Sequence, residues 1–120
     1  MSNKYSGLSD FEINKLIAKS IYRYSSRHFV GDMEHGDDVE IFIIDSGKVQ
    51  HYAFFNICED DAISFALMID NEMKLEKIEQ WRASSWVNDN IIVSSSHENP
   101  CRSIAETFLL MKDAEKKDEK

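Results

Sequence analysis

The sequence lacks the features that define several classes of protein. Its 120 residues include one proline, four glycines and two cysteines. These counts exclude collagen-like, proline-rich and low-complexity chains, and Cys58 and Cys101 are too few and too far apart for a disulfide framework or a zinc knuckle. No apolar run approaches the ~18 residues of a membrane-spanning helix, and the first ten residues show no secretory signal. We therefore expect a cytoplasmic protein with free thiols and no membrane partner.

Positive charge is scarce, because 14 Lys and Arg residues face 22 Asp and Glu residues and leave a net charge of −8. Proteins that bind nucleic acid normally carry an excess of basic residues, so direct nucleic-acid binding is not expected. The imbalance is strongest between His28 and Gly47, a segment without Lys or Arg. This segment holds six carboxylates: Asp32, Glu34, Asp37, Asp38, Glu40 and Asp45.

The first half of the chain predicts a helix followed by a β-hairpin. Ser9 and Glu12 have the spacing of a capping box at the start of an apolar repeat, which predicts a helix over 10–22. Two β-branched and aromatic segments, 39–45 and 49–55, flank a Ser46-Gly47 turn. A two-residue loop places Ile44 opposite Val49, Ile43 opposite Gln50 and Ile41 opposite Tyr52. The predicted core face of the hairpin then carries Val39, Ile41, Ile43, Tyr52 and Phe54.

The second half predicts a helix, two strands and a last helix. Asp60 or Asp61 can cap a helix that is apolar on most sides, which predicts that most of its surface is buried. Strands are expected near 78–85 and 91–95, while 73–80 stays open between helix and strand. Pro100 suits the first turn of the last helix. The buried stripe of that helix is predicted to carry Cys101, Ile104, Ala105, Phe108 and Leu109.

These elements follow the order α-β-β-α-β-β-α. We predict a single α+β domain over 1–111, in which an antiparallel sheet of about four strands is packed against two or three helices. Residues 112–120 carry four lysines and four acidic residues and are expected to form a charged helix end or tail.

Two segments carry a resemblance to a known family. The opening segment Leu8–Lys15 (LSDFEINK) and the closing segment Asn99–Met111 (NPCRSIAETFLLM) resemble the two ends of the NinX-like proteins of lambdoid phages and prophages. Phe55–Cys58 and Trp81–Ala83 match more loosely, and Ile57 stands where that family usually has a proline. The resemblance implies a small bacterial or phage protein with helices on a short antiparallel sheet, and it implies no established activity.

The acidic segment permits a metal-binding hypothesis. Oxygen and imidazole ligands for a divalent ion are available from His28, Asp32, Glu34, His35, Asp37 and Asp38. The EF-hand pattern fails, because the twelfth residue counted from Asp32 is Ile43 and Gly36 comes one position too early. A solvated loop is the simpler interpretation, so neither a metal nor another cofactor is expected. A metal-dependent enzyme or metal-binding protein remains the alternative.

No catalytic pattern is evident in the sequence. Cys58 and Cys101 are possible nucleophiles, with His51 or His97 as bases, but Cys101 falls on the apolar stripe of the last helix. A small buried side chain is therefore the simpler role for Cys101. Phosphate-binding loops, HExxH and GxSxG are absent from the sequence. We expect a protein that is not an enzyme.

The remaining hypothesis is binding to another protein. A phage or prophage accessory protein could engage a basic host or phage protein through its acidic surface, with Asp37, Asp38, Glu40 and Trp86 as candidate contacts. A variant of this idea is an acidic DNA mimic. Trp81 and Trp86 lie five residues apart on one predicted strand, so they point to opposite faces and only one of them fits the core. An exposed tryptophan beside Arg82 could instead stack on a nucleic-acid base.

Overall fold

A computed structural model describes residues 3–118, and the chain forms two compact units. The first unit, here the β1–β3 unit, comprises residues 9–56. The second, here the β4–β6 unit, comprises residues 3–8 and 57–118 of the described chain. The cooperative folding of 1–111 as one domain stays a prediction. Residues 119 and 120 of the predicted C-terminal segment lie outside the described residues.

The β1–β3 unit consists of one helix and a three-stranded antiparallel sheet. Helix α1 (Asp10–Ile21) begins at the N-cap Ser9, and the predicted capping box with Glu12 is present. The helix contacts β1 and β2. The strands lie in the order β1-β2-β3, and their bounds are His28–Val30, Val39–Asp45 and Lys48–Phe55.

The hairpin between β2 and β3 forms with the predicted two-residue turn. Asp45 pairs with Lys48, and both Ser46 and Gly47 have positive φ, the conformation that a tight hairpin turn of this length requires. The predicted pairings of Ile44 with Val49 and of Ile43 with Gln50 are also confirmed.

The predicted pairing of Ile41 with Tyr52 is wrong, because Ile41 pairs with Ala53. Tyr52 is the extra residue of a β-bulge, and an extra residue reverses which side chains of β3 face the core. Phe55 is therefore buried, whereas Tyr52 and Phe54, which were predicted to lie in the core, are exposed.

Strand β1 was not predicted from the sequence. It has three residues and pairs with β2 next to Gly31, whose amide donates a hydrogen bond to the carbonyl of Glu40 over 2.8 Å. A Cβ atom at Gly31 would lie 2.9 Å from the ring of Phe42, so glycine is needed for this close approach. A strand this short leaves too few alternating positions for a sequence pattern.

The β4–β6 unit holds a second antiparallel sheet and two helices. The strands β4 (Lys74–Lys77), β5 (Trp81–Trp86) and β6 (Ile92–His97) lie in the order β4-β5-β6. Helix α3 (Pro100–Asp118) contacts β5 and β6, and helix α2 (Asp61–Asp70) contacts α3. The buried stripe predicted for α3 is confirmed. Neither α3 nor any other helix within residues 3–118 is long and apolar enough to cross a bilayer.

Two local predictions for this unit are wrong. Helix α2 begins after the predicted N-cap Asp60, but Ser64 is its buried residue and Phe65 and Ile69 are exposed, because only one side of the helix meets another element. The strand predicted near 78–85 begins only at Trp81 as β5, because 78–80 are bends, and the segment left open between helix and strand contains β4. Strand β4 has the sequence KLEK, and such a charged edge strand gives little apolar signal.

The predicted α+β class, with antiparallel strands and three helices, is confirmed. Within residues 3–118, six strands form two sheets of three, rather than one sheet of about four, and the element order is α-β-β-β-α-β-β-β-α. The two strands added to the predicted order are β1 and β4.

A buried ion pair organises the β4–β6 unit. Arg102 Nε donates to Glu106 Oε2 over 2.6 Å, and the other carboxylate oxygen of Glu106 accepts from Ser95 Oγ over 2.6 Å. Arg102 Nη2 also donates to the carbonyls of Tyr5 and Leu8, over 3.0 and 2.7 Å. The pair joins α3 to β6 and to the N-terminal residues.

Replacing Glu106 by alanine should lower the free energy of unfolding by about 3–5 kcal/mol, because the Arg102 guanidinium would stay buried without its carboxylate. Urea denaturation measures this loss. The matched control on the same helix is Glu115→Ala, which removes a surface pair with Lys112 of 3.4 Å and should cost less than about 1 kcal/mol. Equal losses in the two variants would contradict a structural role for the buried pair.

Candidate protein-interaction surface

One face of the β1–β2–β3 sheet is apolar and exposed. Strand alternation and register place seven side chains on this face, and we call the six other than Glu40 the apolar sheet face. Phe29, Val49 and Phe54 keep 41%, 64% and 51% of their surface accessible. Single exposed apolar residues are ordinary, but a continuous group of them marks an interaction site. The apolar sheet face consists of Phe29, Phe42, Ile44, Val49, His51 and Phe54.

A glutamate and two histidines lie on the same side of the sheet. His51 Nδ1 lies 2.6 Å from Glu40 Oε2, and His35 Nε2 lies 3.3 Å from Glu40 Oε1. Both imidazole rings also contact the ring of Phe54, with centroids 4.7 and 5.4 Å away. His35 belongs to the connection between β1 and β2, so its contacts bring this connection to the edge of the apolar sheet face.

The acidic loop, residues 31–38, is held in place by two asparagines. Asn14 is buried on α1, and its Nδ2 donates to the carbonyl of Asp37 and to Asn56 Oδ1, each over 2.8 Å. Asn56 Nδ2 in turn donates to Asp38 Oδ1 over 3.0 Å. Because α1 and the end of β3 position both asparagines, the loop has a fixed path. Asp38 therefore anchors the loop, and Asp37 stays exposed.

The carboxylates predicted to form one acidic surface have different environments. Asp32 Oδ1 lies 2.6 Å from Lys15 Nζ, and this hydrogen bond and the lysine charge lower the pKa of Asp32 below its usual value. Asp45 is 4.0 Å from Arg27 at the hairpin end. Glu40 contacts both His35 and His51. Glu34 and Asp37, which lie close to His35 in the sequence, are exposed. Asp32 and Asp45 are also exposed, but each lies beside a basic side chain, so we call Glu34 and Asp37 the acidic rim.

The candidate metal ligands are not brought together. His28 stacks on Tyr22 with ring centroids 5.0 Å apart, and its Nδ1 lies 2.7 Å from Ser25 Oγ. Asp32 and His35 have the separate partners described above. Within residues 3–118 no three His, Cys, Asp or Glu side chains are arranged to hold a metal ion, so the geometry gives the metal hypothesis no support.

The thiol of Cys101 is buried against a carboxylate. Cys101 Sγ lies 3.1 Å from Asp61 Oδ1 and accepts a hydrogen bond from Ser64 Oγ over 3.1 Å. Burial raises the pKa of the Cys101 thiol, and Asp61 raises it further against the opposing effect of Ser64. A thiol with a raised pKa is a poor nucleophile at neutral pH.

The two tryptophans of β5 differ in exposure, as their spacing predicted. Trp86 has 64% of its surface accessible, whereas Trp81 is half-buried. Trp86 pairs across the sheet with the exposed Ile92. Arg82 is engaged by Glu76 over 2.7 Å, and Arg82 is thereby held in an ion pair at this end of the sheet. Trp86 remains an accessible contact residue, in the β4–β6 unit.

Several residues of this surface were missed by sequence reasoning. Sequence reasoning placed Phe54 on the core face of the hairpin and assigned no strand at 28–30, whereas the β-bulge places Phe54 on the apolar sheet face and β1 adds Phe29. Asn14 gave one usable signal, since it lies between Phe11, Ile17 and Ala18 on the buried side of an amphipathic helix. A buried amide must find hydrogen-bond partners, which points to a structural contact.

The fold is similar to that of a known phage protein. A crystal structure of a phage protein from Bacillus cereus superimposes with a TM-score of 0.60 over 94% of this chain and 93% of that chain, at 17% sequence identity. No family model and no curated protein matches the sequence. The similarity shows a shared α+β fold, and the resemblance to the NinX-like proteins stays a prediction.

Replacing Asn14 by alanine should cost about 1–3 kcal/mol, because the Asp37 carbonyl and the Asn56 amide would lose their donor. The same change should speed amide hydrogen exchange in residues 31–38, which Asn14 holds to α1. Urea denaturation and hydrogen exchange measure both effects. The control is Asn90→Ala in an exposed turn, and unchanged exchange in the loop of the Asn14 variant would contradict the anchoring role.

The raised pKa of Cys101 predicts slow reaction with a disulfide reagent in the folded protein. At pH 8 the native thiol should react slower than the urea-unfolded thiol by a factor on the order of 100. Because the folded-state pKa lies above the unfolded one, the stability that the neutral thiol contributes is present at neutral pH and decreases as pH rises above the unfolded pKa. The variant Cys58→Ser isolates the signal, and rapid native labelling of Cys101 would contradict the prediction.

Proposed function

We propose that this protein is a phage or prophage accessory protein without enzymatic activity that binds another protein through the apolar sheet face and its acidic rim. The observation that carries the proposal is the exposure of Phe29, Val49 and Phe54 on one sheet face. A three-stranded sheet that packs on a core with one face and has no partner on the other would present polar side chains to water on that second face. An apolar face of this kind is explained by a partner that covers it.

The charges around the face suggest the chemistry of that partner. Glu34 and Asp37 are exposed on the acidic loop, and the loop reaches the face through the contact of His35 with Phe54. The partner would combine an apolar centre with lysine or arginine residues that meet this rim. Complementary charges of this kind mainly speed association and make it sensitive to salt.

The distribution of charge also ranks the alternatives. Asp38 accepts a hydrogen bond from Asn56, and Asp32 and Asp45 each lie beside a basic side chain, so the carboxylates do not present a regular row of negative charge alone. This arrangement favours an apolar contact with a charged rim over mimicry of DNA phosphates. The fold similarity to a phage protein and the resemblance to the NinX-like proteins support action in the cytoplasm of an infected bacterium.

Replacing Val49 and Phe54 together by glutamine should reduce retention of the partner about tenfold or more, because both side chains lie in the apolar sheet face. The measurement is affinity capture by the tagged protein from the nuclease-treated lysate of an induced lambdoid lysogen, quantified by mass spectrometry at low and moderate salt. Replacing Glu34 and Asp37 by their amides should weaken retention less and reduce its dependence on salt.

The matched control replaces Ile21 and Tyr24 by glutamine, since these are exposed apolar residues of the same unit outside the apolar sheet face. This control should retain the partner as the wild type does. The proposal is contradicted if the Val49 and Phe54 variant, shown to be folded by circular dichroism, retains the same proteins in the same amounts, or if the wild type retains none.

A further inference from the structure

Helix α2 presents a second apolar surface, in the other unit of the chain. Phe65 and Ile69 keep 44% and 69% of their surface accessible, and Ala62 and Ala66 are exposed beside them. We call these four residues the α2 stripe. Their spacing of three and four residues places them in one continuous strip along the helix.

Contacts on the opposite side of α2 fix the direction of the stripe. Ser64 is buried and donates from Oγ to Cys101 Sγ on α3, and the Cys101 thiol lies 3.1 Å from Asp61 Oδ1. At the start of the helix, Asp60 accepts from the amide of Ile63 over 3.1 Å. Turning the stripe inward would break these contacts, so the apolar side chains stay at the surface.

The α2 stripe lies within a strongly acidic part of the sequence. Between Val49 and Met73 there are five carboxylates and no Lys or Arg. Asp61 and Asp70 occupy helical positions on the two sides of the stripe, as the 100° rotation per residue requires. All five carboxylates are exposed: Glu59, Asp60, Asp61, Asp70 and Glu72.

We propose that the α2 stripe binds a basic amphipathic helix of another protein. The apolar side of that helix would cover Phe65 and Ile69, and its lysine or arginine residues would reach the carboxylates on both sides of the stripe. A second copy of this chain is the poorer occupant, because a symmetric contact would bring the same five carboxylates of each copy together. The α2 stripe and the apolar sheet face belong to different units of the chain and share no residue.

The test uses a fluorescent helical peptide of about 18 residues, with leucine on one side and lysine on the other, and a matched peptide with glutamate in place of lysine. Fluorescence anisotropy should show binding of the lysine peptide that weakens with salt. The glutamate peptide should bind at least about tenfold more weakly. Equal binding of the two peptides would overturn the charge argument.

Variants localise the binding. Replacing Phe65 and Ile69 by glutamine should weaken the lysine peptide about tenfold, whereas the Val49 and Phe54 variant should bind it as the wild type does. Comparing these two double variants distinguishes failure of the α2 site from failure of the proposed function. In the wild type, amide resonances of 61–70 should shift on adding the peptide. The proposal would be overturned if the α2 substitutions left the peptide affinity unchanged, or if the resonance shifts were confined to residues outside 61–70. It would also be overturned if the wild type were a dimer that the α2 substitutions convert to a monomer.

Discussion

The ion pair between Arg102 and Glu106 is the interaction on which the β4–β6 unit depends. Both side chains are almost fully buried, and burial of a charge is tolerated only when partners satisfy it. Those partners are a serine of β6 and two carbonyls of the N-terminal residues, so one pair of charges fixes three parts of the chain. Its geometry demands specific positions, whereas the apolar contacts around it tolerate small shifts.

With its interior fixed in this way, the protein keeps a large share of its apolar side chains at the surface. The apolar sheet face and the α2 stripe belong to different units and have different shapes, one a flat sheet and the other a single helix. Both lie beside carboxylates in segments with little or no positive charge. The net charge of −8 is thus concentrated near the apolar surfaces and helps to keep the unbound protein from self-association.

Much of the fold could be predicted from local patterns. The capping box of α1, the Ser46-Gly47 turn and the buried stripe of α3 depend on neighbouring residues, and the structure confirms each of them. The errors arise where contacts between residues distant in the sequence determine which side chains are buried. The bulge at Tyr52 changes which side of β3 is buried, and α2 is apolar enough for a core but keeps Phe65 and Ile69 exposed. The apolar sheet face could therefore be identified only once the strand register was known, whereas its acidic rim could be identified from the sequence.

The order of the two units along the sequence affects how the chain folds during its synthesis on the ribosome. Residues 9–56 can associate as soon as they leave the exit tunnel, because all their partners within the unit have already been made. The carbonyl of Leu8 cannot form its hydrogen bond with Arg102 until that residue has been made, 94 positions later. At elongation rates of about 5–20 residues per second, this delay lasts roughly 5 to 19 s. Connectivity thus orders the two units in time, because Tyr5 and Leu8 precede residues 9–56 in the chain but reach their contacts with Arg102 later.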